Sequence, residues 1–206
     1  MKLFRRFKHN DEKGLFLIAG LGNPGAQYRR NRHNVGFMVV DTLADVMGIT
    51  LQRVEHRALV GKDHLADDRL ILAKPQTYMN ESGSAVAPLM RFYKIPLAQL
   101  LVVHDDLDLP FGTMRLRPGG GSGGQRGVES IVNKLSTRDF ARLRIGIGRP
   151  PGRMDPKDYV LHDFDPPDLE YLPELLDRAS AAIRCFIRDG IEQAMNEFNG
   201  SVIDED

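Results

Sequence analysis

The chain has 206 residues and a formal net charge of zero, so it fits one domain with a sizeable core, and its total charge attracts no polyanion. Its single cysteine, Cys185, excludes a disulfide within the chain and suits a reducing cytoplasm, and no apolar run approaches the length of a membrane span. The charge is unevenly spread: residues 1–111 carry 15 Lys/Arg against 12 Asp/Glu, residues 112–153 carry 9 against 2, and residues 154–206 carry 4 against 14. A basic central block beside an acidic tail implies either a local polyanion site or a solvated basic face.

Residues 1–14 are polar and basic with scattered Phe. They lack the apolar centre of a signal peptide, and Asp11 and Glu12 argue against an import sequence, so a flexible extension is expected ahead of one domain over 15–200. Leu15–Ala19 is an apolar run that reads as a buried strand to about residue 20. Helical periodicity begins only at Val35 and predicts a helix to about residue 47. A polar strand is expected over 54–62 and a short strand over 69–75. Asn80–Gly83 opens a helix to about Tyr93. Leu100–Val103 is a strongly buried strand, and Thr113–Arg117 alternates as a half-exposed one. A glycine loop (119–124) leads to a helix around Val128–Leu135, followed by a strand over 142–147. A proline-rich irregular connection then precedes a last helix over about 168–198. Alternating strands and helices predict an α/β three-layer sandwich, with a mixed, mainly parallel central sheet flanked by helices. Cys185, among Ile183, Phe186 and Ile187, reads as a buried structural thiol.

The chemistry gathers after the first strand. Gly20-Leu21-Gly22-Asn23-Pro24-Gly25 delivers side chains to the strand's carboxyl end, where ligands of open α/β sheets bind. Asn23, His33 and Asn34 follow within a dozen residues. The glycines also fit the dinucleotide pattern G-x-G-x-x-G, with Asp41 as a ribose-binding acid, but that pattern needs a helix at the third glycine, and residues 26–33 have no apolar face. A second cluster, His104-Asp105-Asp106-Leu107-Asp108, follows the buried strand. Adjacent His104 and Asp105 point to opposite faces, and the six histidines show no metal-ligand spacing. One of these carboxylates can instead meet an imidazole from another strand end, making a general base. In the third cluster, Gly119–Gly127, no Gly-Lys-Ser/Thr supports a triphosphate loop. Arg115 with Arg117, and Arg142 with Arg144, share strand faces, and with Arg149 and Arg153 nearby they suit phosphate-backbone contacts.

Six motifs in order resemble the bacterial peptidyl-tRNA hydrolases: Gly20–Gly25 with Tyr28, Arg32–Gly36, Lys74–Gly83, His104–Asp108, the glycine loop, and Leu143–Gly148. The likeness spans about residues 15–195. It implies a metal-independent cytoplasmic esterase, monomeric and without cofactor, that cleaves the ester between peptide and 3′ ribose in peptidyl-tRNA. It implies further that His33 is the general base, Asp105 the acid that holds it, and Asn23 the amide that separates blocked from free aminoacyl esters. Asn80 would bind substrate beside the catalytic water, Tyr28 and Tyr78 would line the crevice, and Arg115, Arg117, Arg144 and Arg153 would contact the acceptor arm of tRNA. Family members often have His-Asn-Gly where this chain has Gln125-Arg126-Gly127, so Arg126 stands in the place of an asparagine that commonly contacts substrate. Two other readings are a non-catalytic RNA-binding relative, like the chloroplast splicing factors that resemble this family, and a nucleotide-dependent oxidoreductase.

Overall fold

The computed structural model describes residues 14–203. The extension expected over 1–14 lies outside them except for Gly14, whose N–H donates to Asp68 Oδ1 at 2.7 Å and whose carbonyl accepts from Arg69 N.

The strands are β1 (Leu15–Gly20), β2 (Arg53–Glu55), β3 (Ala58–Leu65), β4 (Asp68–Pro75), β5 (Leu100–Asp106), β6 (Thr113–Arg117), β7 (Ala141–Gly146) and β8 (Gly200–Ser201). They form one eight-stranded sheet in the order β2-β3-β4-β1-β5-β7-β6-β8. Pairing is parallel among β4, β1, β5 and β7, and antiparallel toward both edges. The sheet is therefore mixed, as the alternating pattern predicted. The polar region expected as one strand over 54–62 is a hairpin of β2 and β3, turned at His56 and Arg57, both at positive φ.

The helices are α1 (Val35–Met47), α2 (Gly83–Tyr93), α3 (Arg126–Leu135), α4 (Pro156–Val160), α5 (Pro166–Asp189) and α6 (Ile191–Phe198). Strand side chains alternate between faces, so each buried strand feeds two cores. Ile18, Leu101 and Val103 pack with residues of α1 and α5, whereas Leu17, Ala19, Leu100 and Val102 pack with residues of α2 and α3. Three layers result. The single helix expected over 168–198 is instead α5 and α6, broken at Gly190, whose φ of 87° no helix accommodates. The proline-rich connection contains α4, which opens with Asp155 accepting from Lys157 N at 2.9 Å and Pro156 in the first turn. Cys185 is buried, and burial pushes its thiol up to about 11.

No helix opens at Gly25. A single 3-10 turn, Ala26–Tyr28, follows it, and Asp41 lies within α1, paired with Lys74 at 2.5 Å. The dinucleotide pattern thus lacks the helix it requires. Its glycine at position 20 serves packing: a Cβ there would collide with the carbonyl of Gly36, where α1 crosses the end of β1. A Cβ on Gly36 would in turn stand 2.5 Å from Leu21 N and closer still to Val103 O, both backbone atoms of the sheet's central strand ends. Gly36→Ala is expected to push α1 away from this crossing and to cost roughly 1–3 kcal/mol, the usual range for overpacking. Thermal or urea unfolding measures it, and an unchanged midpoint would contradict the close approach.

Candidate active site

Two central strands end side by side, and their carboxyl ends carry the chemistry. Leu21 N donates to Val103 O at 2.9 Å, continuing the β1–β5 ladder into the turn after β1. Asn23 then reverses the chain. Its backbone N–H donates to Asn34 Oδ1 at 2.8 Å, and its carbonyl accepts from Asn34 Nδ2 at 2.9 Å. Asn34 stands at the N-cap position of α1 but makes no cap with its side chain, because both ends of its amide are engaged by Asn23. The Asn23 side chain is held as well: its Oδ1 accepts from Met79 N at 2.8 Å, which leaves the NH₂ as the group available toward the cleft.

His33 sits in a 3-10 turn, Arg32–Asn34, at the start of α1. Its Nδ1 lies 2.8 Å from Asp105 Oδ2, although 72 residues separate the two. An ionised carboxylate only accepts, so Nδ1 carries the proton, and in the neutral ring Nε2 keeps its lone pair. Asp105 Oδ1 accepts from Gln125 Nε2 at 3.0 Å, so both carboxylate oxygens are met by donors. Asp105 is 3% exposed. Burial opposes ionisation of Asp105, but the imidazole and its hydrogen bond, with the Gln125 amide, outweigh it and hold the carboxyl below its ordinary value. Burial likewise opposes the imidazolium of His33, the charge and hydrogen bond of Asp105 override it, and the net direction is up; the guanidinium of Arg126 pulls weakly the other way.

His104 points away from this pair, as strand alternation requires. It is buried, its Nδ1 bonds to Asp105 O at 2.7 Å, and burial lowers its pKa. Among the described residues no three His, Cys, Asp or Glu side chains are grouped to hold a metal ion.

The pair opens on a cleft of about 610 Å³. Seven of the residues singled out from the sequence line it together: Asn23, Tyr28, His33, Tyr78, Asn80, Asp105 and Arg126. Asn80 and Arg126 are exposed at the rim, and the Tyr78 ring is 61% exposed. The opposite wall is α4, which supplies Pro156, Lys157 and Val160, with Leu161 just beyond. This wall and Gln125 were not anticipated. For Gln125 the signal was its place just before a helical pattern, where a side chain caps; for α4 it was Asp155-Pro156, a helix start hidden in a proline-rich stretch.

The basic residues divide. Arg115, Arg117 and Arg153 are exposed and outside the cleft lining, while β6 runs into the glycine loop whose Gly123 and Gly124 border it. Arg142 and Arg144 do not form the second exposed pair expected. Arg142 is buried; its guanidinium bonds to Gly121 O at 2.5 Å and to Gly120 O, pinning the glycine loop from below. Arg144 is half-buried, with Nε 2.6 Å from Asp106 Oδ2. Strands β5 and β7 sit in register here, so a carboxylate at one strand end neutralises the guanidinium beside it.

The family model for peptidyl-tRNA hydrolase matches residues 17–206. A peptidyl-tRNA hydrolase of Frankia casuarinae is 50% identical over 186 residues, covering 90% of this chain and 94% of the relative. One from Desulforudis audaxviator is 54% identical over 183 residues, covering 89% and 92%. The crystal structure of peptidyl-tRNA hydrolase from Acinetobacter baumannii superposes with a TM-score of 0.86 at 36% identity, covering 93% of this chain and 98% of that one. With its sequence matched along nearly its whole length and its fold matched as well, the chain belongs to the peptidyl-tRNA hydrolase family.

Proposed function

We propose that this chain hydrolyses the ester between peptide and 3′ ribose in peptidyl-tRNA, with His33 as general base and no metal. The observation that carries the reading is the His33–Asp105 contact at the mouth of a cleft lined by amides. His33 Nε2 removes a proton from water as its oxygen attacks the ester carbonyl carbon. The tetrahedral intermediate carries its charge on the former carbonyl oxygen, toward which Asn23 NH₂ and the amide of Asn80 donate. The C–O bond to the ribose then breaks, and the imidazolium returns its proton to the departing ribose oxygen. Asp105 fixes the imidazole tautomer and steadies the imidazolium between these steps. An ester has a better leaving group than an amide, so an oriented base and donors suffice.

Tyr28 and Tyr78 offer ring faces and hydroxyls along the crevice, and Arg126 adds a cation to the rim where an anionic 3′ end would approach. Arg115, Arg117 and Arg153 supply phosphate contacts for the acceptor arm beyond the cleft. We assign Arg144 a lesser share in binding, because Asp106 already engages its guanidinium.

The deciding experiment compares N-acetyl-aminoacyl-tRNA with unblocked aminoacyl-tRNA in the presence of a chelator. Rapid hydrolysis of the blocked ester alone is expected. His33→Ala should reduce that turnover by about 10²–10⁴-fold, the usual contribution of general-base catalysis, while tRNA still binds. Full turnover by the variant would reject the mechanism.

The base works only when neutral, and His33 is held above the ordinary imidazole value of about 6.5. The acid limb of kcat/KM therefore lies above that pH. Asp105→Asn removes the charge that raises His33 and leaves burial and Arg126, which lower it, so residual activity should show its acid limb at lower pH. A limb that stays in place would contradict the coupling.

Each phosphate neutralised contributes about 0.7–0.9 to the slope of log K against log salt. Arg115→Ala with Arg117→Ala should weaken tRNA binding and flatten that slope by about one to two, as read by titration at several salt concentrations. An unchanged slope would remove β6 from the interface.

A further inference from the structure

We propose that Gln125 is a positioning residue of the reaction, holding the Asp105 carboxylate in the one orientation that serves His33. The inference rests on the reading of His33 as general base and extends it to a side chain that touches no substrate.

Gln125 is 9% exposed, and both ends of its amide are committed. Its Oε1 accepts from Val128 N at 2.8 Å and caps α3. This contact decides which end of the amide is oxygen, so the NH₂ faces the other way. There it donates to Asp105 Oδ1 at 3.0 Å and lies 3.1 Å from Met79 Sδ. The carboxylate is thus gripped from two sides, by Gln125 at one oxygen and His33 at the other. Without the amide, Oδ1 would be a buried anionic oxygen lacking a protein donor, and the group would rotate or take up a proton. Either change loosens the imidazole. The device also ties the pair to α3, whose next residue, Arg126, stands on the cleft wall. Met79 completes the link: its N–H holds Asn23 and its sulfur rests against Gln125, so base, acid and the Asn23 amide share one rigid junction. A neutral amide suits this place, since it donates at every pH at which the enzyme works.

The test uses Gln125→Glu. This variant keeps an oxygen to accept from Val128 N, so the helix cap survives, but it turns a carboxylate oxygen toward Asp105. With N-acetyl-aminoacyl-tRNA as substrate, kcat at neutral pH should fall roughly ten- to a hundredfold with KM little changed, the scale of a misplaced catalytic group. Two carboxylates this close share a proton, and where the Glu is protonated its hydroxyl still donates to Asp105, so the loss should deepen as pH rises and that donor is removed. Gln125→Met, similar in size but without donor or acceptor, should lose kcat with KM little changed and show no such deepening. It carries the deciding outcome: wild-type kcat in folded Gln125→Met overturns the proposal. His33→Ala run alongside separates the two ideas. Its inactivity beside an unaffected Gln125→Met removes only the role of Gln125, whereas its full turnover removes the general base itself.

Discussion

The site depends on one buried carboxylate finding donors for both oxygens. Asp105 lies at the end of β5, the strand beside the sheet's centre, where a charge is costly unless it is hydrogen-bonded. Three separate stretches supply what it needs: β5 itself, the turn before α1 with His33, and the start of α3 with Gln125. Because β1 and β5 are parallel neighbours, their carboxyl ends emerge on the same edge, and the turn after β1 is brought against the end of β5. Topology thus delivers the histidine to the aspartate. The hydrogen bonds then set their geometry to a fraction of an ångström.

The His33 turn is held just as firmly from behind. Arg32 is 2% exposed, and its guanidinium lies 2.7 Å from Asp165 Oδ2, contacts the carbonyl of Asp163, and stacks 4.4 Å over the ring of Tyr159. Arg32 N also donates to His162 O at 3.0 Å. The segment it grips runs on directly from the stretch of α4 and Leu161 that forms the far wall of the cleft. So the residue beside His33 ties the opposite wall to the His33 turn, although Arg32 itself does not line the cleft. The guanidinium is buried whereas Asp165 is 73% exposed, so the pair itself adds little net stability, but stripping the partners from a buried charge is costly, which favours a single arrangement.

Much of this was legible in the sequence, for identifiable reasons. The apolar runs of β1, β4 and β5 and the periodicity of α1 and α2 are dictated by burial on both faces of a central sheet, so they read directly from residue type. The strand-end clusters read as chemistry because amide, imidazole and carboxylate types followed buried strands. What did not read was anything decided by partners distant in the chain. Arg142 and Arg144 have the alternation of an exposed face, yet Arg142 is buried by the glycine loop folding over it and Arg144 by Asp106 on the next strand. Asn34 stands out in the sequence as a second amide near Asn23 and His33, yet its amide is consumed in bracing Asn23. The break at Gly190 was hidden because apolar spacing continues across it, while the backbone turns.

The uneven charge acquires a physical meaning from these contacts. The acidic tail is not only solvated surface: Asp165 and Asp168, at the start of α5, face the guanidinium of Arg32. The basic central block is likewise divided between structure and surface. Arg142 donates to backbone carbonyls and Arg144 pairs with a carboxylate within the fold, and Arg115, Arg117, Arg126 and Arg153 remain exposed. A protein of zero net charge can therefore present a cationic approach to one cleft while the balancing carboxylates are carried elsewhere. That separation matters for a polyanionic substrate with a small reactive end. On the function proposed above, exposed guanidinium groups outside the cleft would hold phosphates by charge alone, tolerant of small displacements, whereas the ester would have to meet an imidazole whose position is fixed by buried hydrogen bonds. Under that proposal the loose and the exact parts of recognition would be built from different kinds of interaction, and the glycine loop, pinned below by Arg142 and open above at Gly123 and Gly124, borders the cleft where they would join.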